Sequence, residues 1–156
     1  MSFNVQVGYI EEANETFKLV GHDVKGIQIE NGLLSASIIA NRCGEIGFLH
    51  SFFNRRSHFQ GAAPPGMAIF AISDNAWYHG EVTQGNDLCG YNNQLGTTDC
   101  QWCGGMSVMY VPRIPFIRFL QSSPLLAPAF DRMQDSNNVL ISERNRRDYK
   151  LSLIHI

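Results

Sequence analysis

The sequence predicts a mainly β fold, a barrel or double-stranded roll followed by short α-helices. Three observations predict it. Between residues 24 and 111, about seven or eight short apolar or alternating segments recur at even spacing, separated by Gly, Asn and Pro turn signals. One of them, Glu45–Phe53, is apolar on both faces, with Ile46, Phe48 and Phe52 on one side and Leu49 and Phe53 on the other. Such a strand needs cover on both sides, as in a barrel or two-layer roll. After Pro112 and Pro115 the period changes to that of a helix.

Taken in order, Phe3, Val5 and Val7 alternate weakly, as in an edge strand or a loose arm. Ala13–Val20 is polar with Phe17, Leu19 and Val20 as anchors, a pattern compatible with a short helix ended by Gly21. Val24–Glu30 alternates and is followed by Asn31-Gly32, a hairpin turn signal, so Leu33–Ala40 is expected to pair with it. Asn54-Arg55-Arg56-Ser57-His58 interrupts the next strand with charge.

The central stretch runs from Gly61 to Glu81. Pro64, Pro65 and Gly66 set a tight loop, and Met67–Ile72 is an apolar run of strand length. Ser73-Asp74-Asn75 then separates it from Trp77–Thr83, where aromatic and β-branched residues suit a second strand, so the two are expected to form an antiparallel pair. Gln84–Asp87 is a turn cluster and Leu88–Tyr91 a short strand. Asp99–Val111 alternates around a bend at Gly104-Gly105, with Met106, Val108 and Tyr110 on one face.

Beyond the two prolines, Phe116, Phe119 and Leu120 fall at helical spacing, and Ser123-Pro124 reads as the start of a second helix carrying Leu125, Leu126, Ala129, Phe130 and Met133. Helices are expected only after Pro115. The division that follows is a β domain over 1–115 and a helical segment over 116–150, with residues 151–156 set aside. Leu151-Ser152-Leu153-Ile154-His155-Ile156 resembles the translation of a transposon end used in sequencing adaptors, which would cut the reading frame near Lys150.

The order and spacing of these signals carry a resemblance. Gly32-Leu33-Leu34, the strand-like Ala36–Asn41, Phe59-Gln60-Gly61, Pro65-Gly66, Phe70-Ala71-Ile72 and Trp77-Tyr78-His79-Gly80 are similar, over roughly residues 25–115, to the N-terminal sensor domain of AraC-type bacterial transcription regulators. The resemblance implies a cupin-like β-barrel that binds a small effector, with helices that help pair two subunits into a homodimer. It also implies that DNA is bound by helix-turn-helix units outside this chain.

Composition agrees with that division of labour. A formal net charge of -2 does not supply the basic surface that phosphate neutralisation requires. The first residues lack a secretory signal and no apolar run reaches membrane-spanning length, so a cytoplasmic location and no membrane partner are expected.

Chemistry is sparse. Cys100-Gln101-Trp102-Cys103 is a C-x-x-C pair, but Cys43 and Cys89 are single, so no zinc site is expected. Trp77, His79 and Glu81 share one face if Trp77–Thr83 is a single strand, yet a cupin-like metal site resembles a His-x-His pattern with further ligands that this chain lacks. No metal, cofactor or catalytic residue is therefore assigned. The expected site is an effector cavity walled by Phe70, Trp77 and Trp102, with His79 and Glu81 as polar contacts. The alternative is a stand-alone cupin-like enzyme or ligand-binding module, metal-dependent if His79 and Glu81 are ligands.

Overall fold

The computed structural model describes residues 2–73, 75–78, 81–84, 87–91, 96–122, 124 and 138–140. The elements are β1 (Ser2–Val7), α1 (Ile10–Lys18), β2 (Asp23–Gln28), β3 (Ala36–Cys43), β4 (Ile46–Ala62), β5 (Met67–Ser73), β6 (Asn75–Tyr78), β7 (Glu81–Gln84), β8 (Asp87–Tyr91), β9 (Thr97–Pro112), α2 (Arg113–Ser122) and β10 (Asn138–Leu140). The fold is mainly β, with short helices, as the alternation predicts.

Two long strands organise it. β4, of 17 residues, and β9, of 16, pair antiparallel along almost their whole length, and the ladder between them is interrupted at one place. There Asn54, Arg55 and Arg56 lie opposite Cys103 alone, and Gly104 adopts φ +87°, a conformation that costs a side chain but not glycine. On one side of this bulge the sheet continues as β1-β3-β4-β9-β5-β8-β10; on the other, β2 pairs with β4 and the β6–β7 hairpin pairs with β9. The charged run at 54–58 is thus the bulge of one continuous strand and not a break between two.

The same geometry corrects two expected hairpins. β2 and β3 do not pair with each other, because both lie on β4, end to end along the same edge: Gln28 is opposite Ser57, and Ala36 is opposite Phe53. The Asn54 side chain holds the connection between them, accepting from the Ser35 amide at 2.8 Å and donating to the Leu33 carbonyl at 3.2 Å. Likewise β5 and β6 both lie along β9, with Ser73 opposite Met106 and Ala76 opposite Trp102. A kinked long strand offers two successive pairing sites, and adjacent short strands take one each.

Inward-facing residues from both parts meet in one core. Leu49, Phe53 and Phe59 of β4 and Cys100, Trp102, Met106, Val108 and Tyr110 of β9 are buried in it. Phe53, Phe59 and Trp102 make ring contacts with centroids 4.8–5.5 Å apart, edge-on or stacked.

Helix α1 corrects the expectation that helices begin only after Pro115. Ala13, Thr16 and Phe17 form its buried face at i, i+3 and i+4, and the Glu12 carboxylate accepts from the Gly8 amide at 2.8 Å at its start. Phe17 enters the aromatic cluster edge-on to Phe59, 5.0 Å between centroids. Helix α2 includes Pro115 within its first turn, where a missing N–H is tolerated. Its buried residue is Leu120, whereas Phe119 is 60% exposed and Phe116 sets its ring edge against Phe70 at 5.2 Å. The helix expected from Ser123 to Met133, the basic residues from Arg144 to Lys150, and 151–156 lie outside the described residues, Pro124 excepted.

Candidate ligand sites in the interior and at its rim

The centre of the core contains one buried imidazole. His22 follows the turn that ends α1, where Gly21 takes φ +90° and lets the chain reverse. Its Nε2 lies 2.8 Å from the Tyr110 hydroxyl and its Nδ1 3.3 Å from the Thr98 hydroxyl. Phe17 and Tyr110 flank the ring edge-on, at 6.4 and 5.5 Å. Burial in this apolar setting lowers its pKa from 6.5 to about 4, so the imidazole is neutral at pH 7.

Around it is a small cavity of about 20 Å³, lined by His22, Thr98, Tyr110, Tyr78, Met106 and Trp102 among others. That volume accommodates about one water molecule. The Trp102 indole N–H is buried and has no hydrogen-bond partner among the described residues, and the Tyr78 hydroxyl donates to the Met106 sulfur at 3.6 Å. The interior is therefore nearly filled.

A second hollow, of about 190 Å³, opens at the rim. Leu19 and Val20 come to it from the end of α1, Ala40–Arg42 and Glu45–Phe48 from the β3–β4 hairpin (excluding Ile46), and Pro64 and Met67 from the β4–β5 connection. Tyr110 lines both this groove and the inner cavity. Gly47 is directly opposite Tyr110 across the β4–β9 ladder, and a Cβ there would stand 3.3 Å from Tyr110 Cδ2. The absent side chain leaves the groove its floor.

Of the five residues expected to form the site, Trp102 lines the inner cavity. Phe70 is buried on the other face of β5, against Phe116. Trp77 is half-buried with its ring edge-on to His58 at 6.1 Å, and His58 in turn bonds Asp99 through Nε2 at 2.7 Å. Its neighbours Ala76 and Tyr78 are the buried ones, so β6 presents the opposite parity inward. His79 lies outside the described residues. Glu81 begins β7 opposite Tyr78, which divides the supposed single strand Trp77–Thr83 into two antiparallel ones and removes the period-two argument linking Glu81 to Trp77.

The residues that sequence reasoning passed over are His22, Thr98 and Tyr110. Tyr110 was legible as inward-facing with Met106 and Val108; His22 gave only the weak signal of a polar residue between Val20 and Val24. Among the described residues no three His, Cys, Asp or Glu side chains gather as metal ligands. No described helix is long and apolar enough to cross a membrane.

No protein-family model matches the sequence, and no curated protein matches it. Among solved structures, that of the AraC-like transcriptional activator CuxR is similar, with a TM-score of 0.55 at 11% sequence identity. The similarity covers 92% of this chain and 55% of that one, so the chain spans about half the length of the activator it matches. At this identity the likeness is one of fold.

Proposed function

We propose that this chain is the small-molecule-sensing part of an AraC-type transcription regulator, a cupin-like β module whose DNA-binding units lie outside it. The observation that carries the reading is the fold likeness to an AraC-like activator over 92% of the chain but only 55% of the activator. The net charge of -2 fits a module that leaves DNA contact to another part of the protein.

On this reading the protein acts in the cytoplasm as a homodimer, binds its effector by shape and hydrogen bonding, and performs no chemistry on it with any resident cofactor. Effector binding biases how two subunits pair, and so the placement of the DNA-binding units. The reading is supported by an aromatic interior holding a neutral imidazole beside a groove of ligand size, an arrangement suited to recognition.

The test is a pair of measurements on the purified chain. A thermal-shift screen against small metabolites is expected to yield a stabilising compound, since a ligand of the folded state raises its midpoint by mass action. Fluorescence anisotropy with promoter DNA is expected to show no tight, salt-sensitive binding. Tight salt-sensitive binding by this chain alone contradicts the division of labour, and turnover of a screened compound contradicts the absence of catalysis.

A further inference from the structure

We infer that the rim groove is a binding site for an uncharged single-ring compound with one polar substituent. This deepens the sensing role by naming a place and a ligand class, and it rests on that role only for the consequence of binding.

Size selects the occupant first. The inner cavity of about 20 Å³ has no room for a ring. An apolar cavity of about 150 Å³ takes up benzene, so the groove of about 190 Å³ suits one six-membered ring and a small substituent. A broader hollow of about 490 Å³ beside α1 and β2 is lined by five charged side chains, Glu11, Glu15, Lys18, Asp23 and Lys25, with Val24 the one large apolar side chain among its lining, and so has no aromatic surface for a ring to pack on.

The lining selects the chemistry. Leu19, Val20, Pro64 and Met67 are apolar, Phe48 and Tyr110 add aromatic surface, and a thioether beside a ring is a favourable contact. The Gly47 position, bare beside the Tyr110 ring, gives a flat floor that any side chain would crowd. The lining also includes one cation, Arg42, and one anion, Glu45. Their charges oppose, and the Arg42 Nε donates to the Gly44 carbonyl at 2.8 Å. The site thus offers hydrogen-bond donors and acceptors to a polar substituent without a net field that would favour a charged ligand.

Phenol titrated into the full chain by calorimetry is the probe. Saturable one-to-one binding is expected, with benzoate and benzylamine weaker by about tenfold or more, since each gives up the hydration of its charge to a site where one of Glu45 and Arg42 repels what the other attracts. Gly47→Val, which fills the floor, is expected to abolish phenol binding. Leu19→Asp changes a residue 56% exposed, so it preserves the fold while placing a carboxylate in the apolar wall, and should weaken phenol by about tenfold. Absence of phenol binding, affinity unchanged by Leu19→Asp, or a charged analogue binding as tightly as phenol would each overturn the inference. None of these outcomes involves DNA, so failure here is separable from failure of the regulatory reading.

Discussion

The Nε2 of His22 lies 2.8 Å from the hydroxyl oxygen of Tyr110, joining the turn after α1 to the far end of β9 across 88 residues. With Nδ1 turned to Thr98, both imidazole nitrogens have partners, and the ring is held neutral inside the core. The contact ties the N-terminal helix to the long strand, and Tyr110 also walls the rim groove.

Stability should depend on pH through this imidazole. Its folded pKa of about 4 is below the unfolded 6.5, so as pH falls the unfolded chain takes up the proton first. The folded state keeps its full advantage above about pH 6.5 and loses roughly 3 kcal/mol progressively down to about pH 4. Urea midpoints at pH 7, 5.5 and 4 should fall steeply in the parent and less in His22→Gln; equal slopes in the two would exclude His22 as the source.

Removing the hydroxyl of Tyr110 tests the contact itself. Tyr110→Phe keeps the ring and leaves His22 short of a partner, so a loss of about 1–3 kcal/mol is expected in denaturant unfolding. A change below a few tenths would show that the hydroxyl and imidazole do not support each other.

Glycine at position 26 is required by packing. A Cβ there would overlap the Phe59 ring and stand 2.8 Å from the Asn14 oxygen that accepts from the Gly26 amide. Gly26→Ala should cost about 1–3 kcal/mol, and Phe59→Leu in the same chain should recover part of it. Strict additivity of the two changes would refute the overlap.

The two tryptophans should respond unequally. Trp102 is 2% exposed at the centre of the aromatic cluster, and Trp102→Ala is expected to cost about 3–5 kcal/mol. Trp77 is half-buried on the other face of the sheet, and Trp77→Ala should cost clearly less. Equal losses would mean that Trp77 too belongs to the core.

These contrasts mark how far the sequence could be read. The mainly β class, the bend at Gly104 and the inward set Met106, Val108 and Tyr110 follow from alternation and turn chemistry, which are local. Pairing partners did not, because Asn31-Gly32 signals reversal without saying that β2 and β3 both dock on β4, and Arg55 and Arg56 disguise a bulge as an interruption. The parity of β6 depends on which face β9 turns to the core, a tertiary fact, so the local pattern does not tell that Tyr78 and not Trp77 faces inward. His22 is invisible to periodicity because it sits between the turn after α1 and the start of β2. Its role arises only when Thr98 and Tyr110 arrive from a distant strand.

The measurement that bears most directly on the regulatory reading is the sequence of the gene that encodes this chain, read in its source genome. A frame that encodes two helix-turn-helix patterns together with this β module is the predicted result. A frame that encodes no helix-turn-helix, or that joins this module to an unrelated domain, would contradict it.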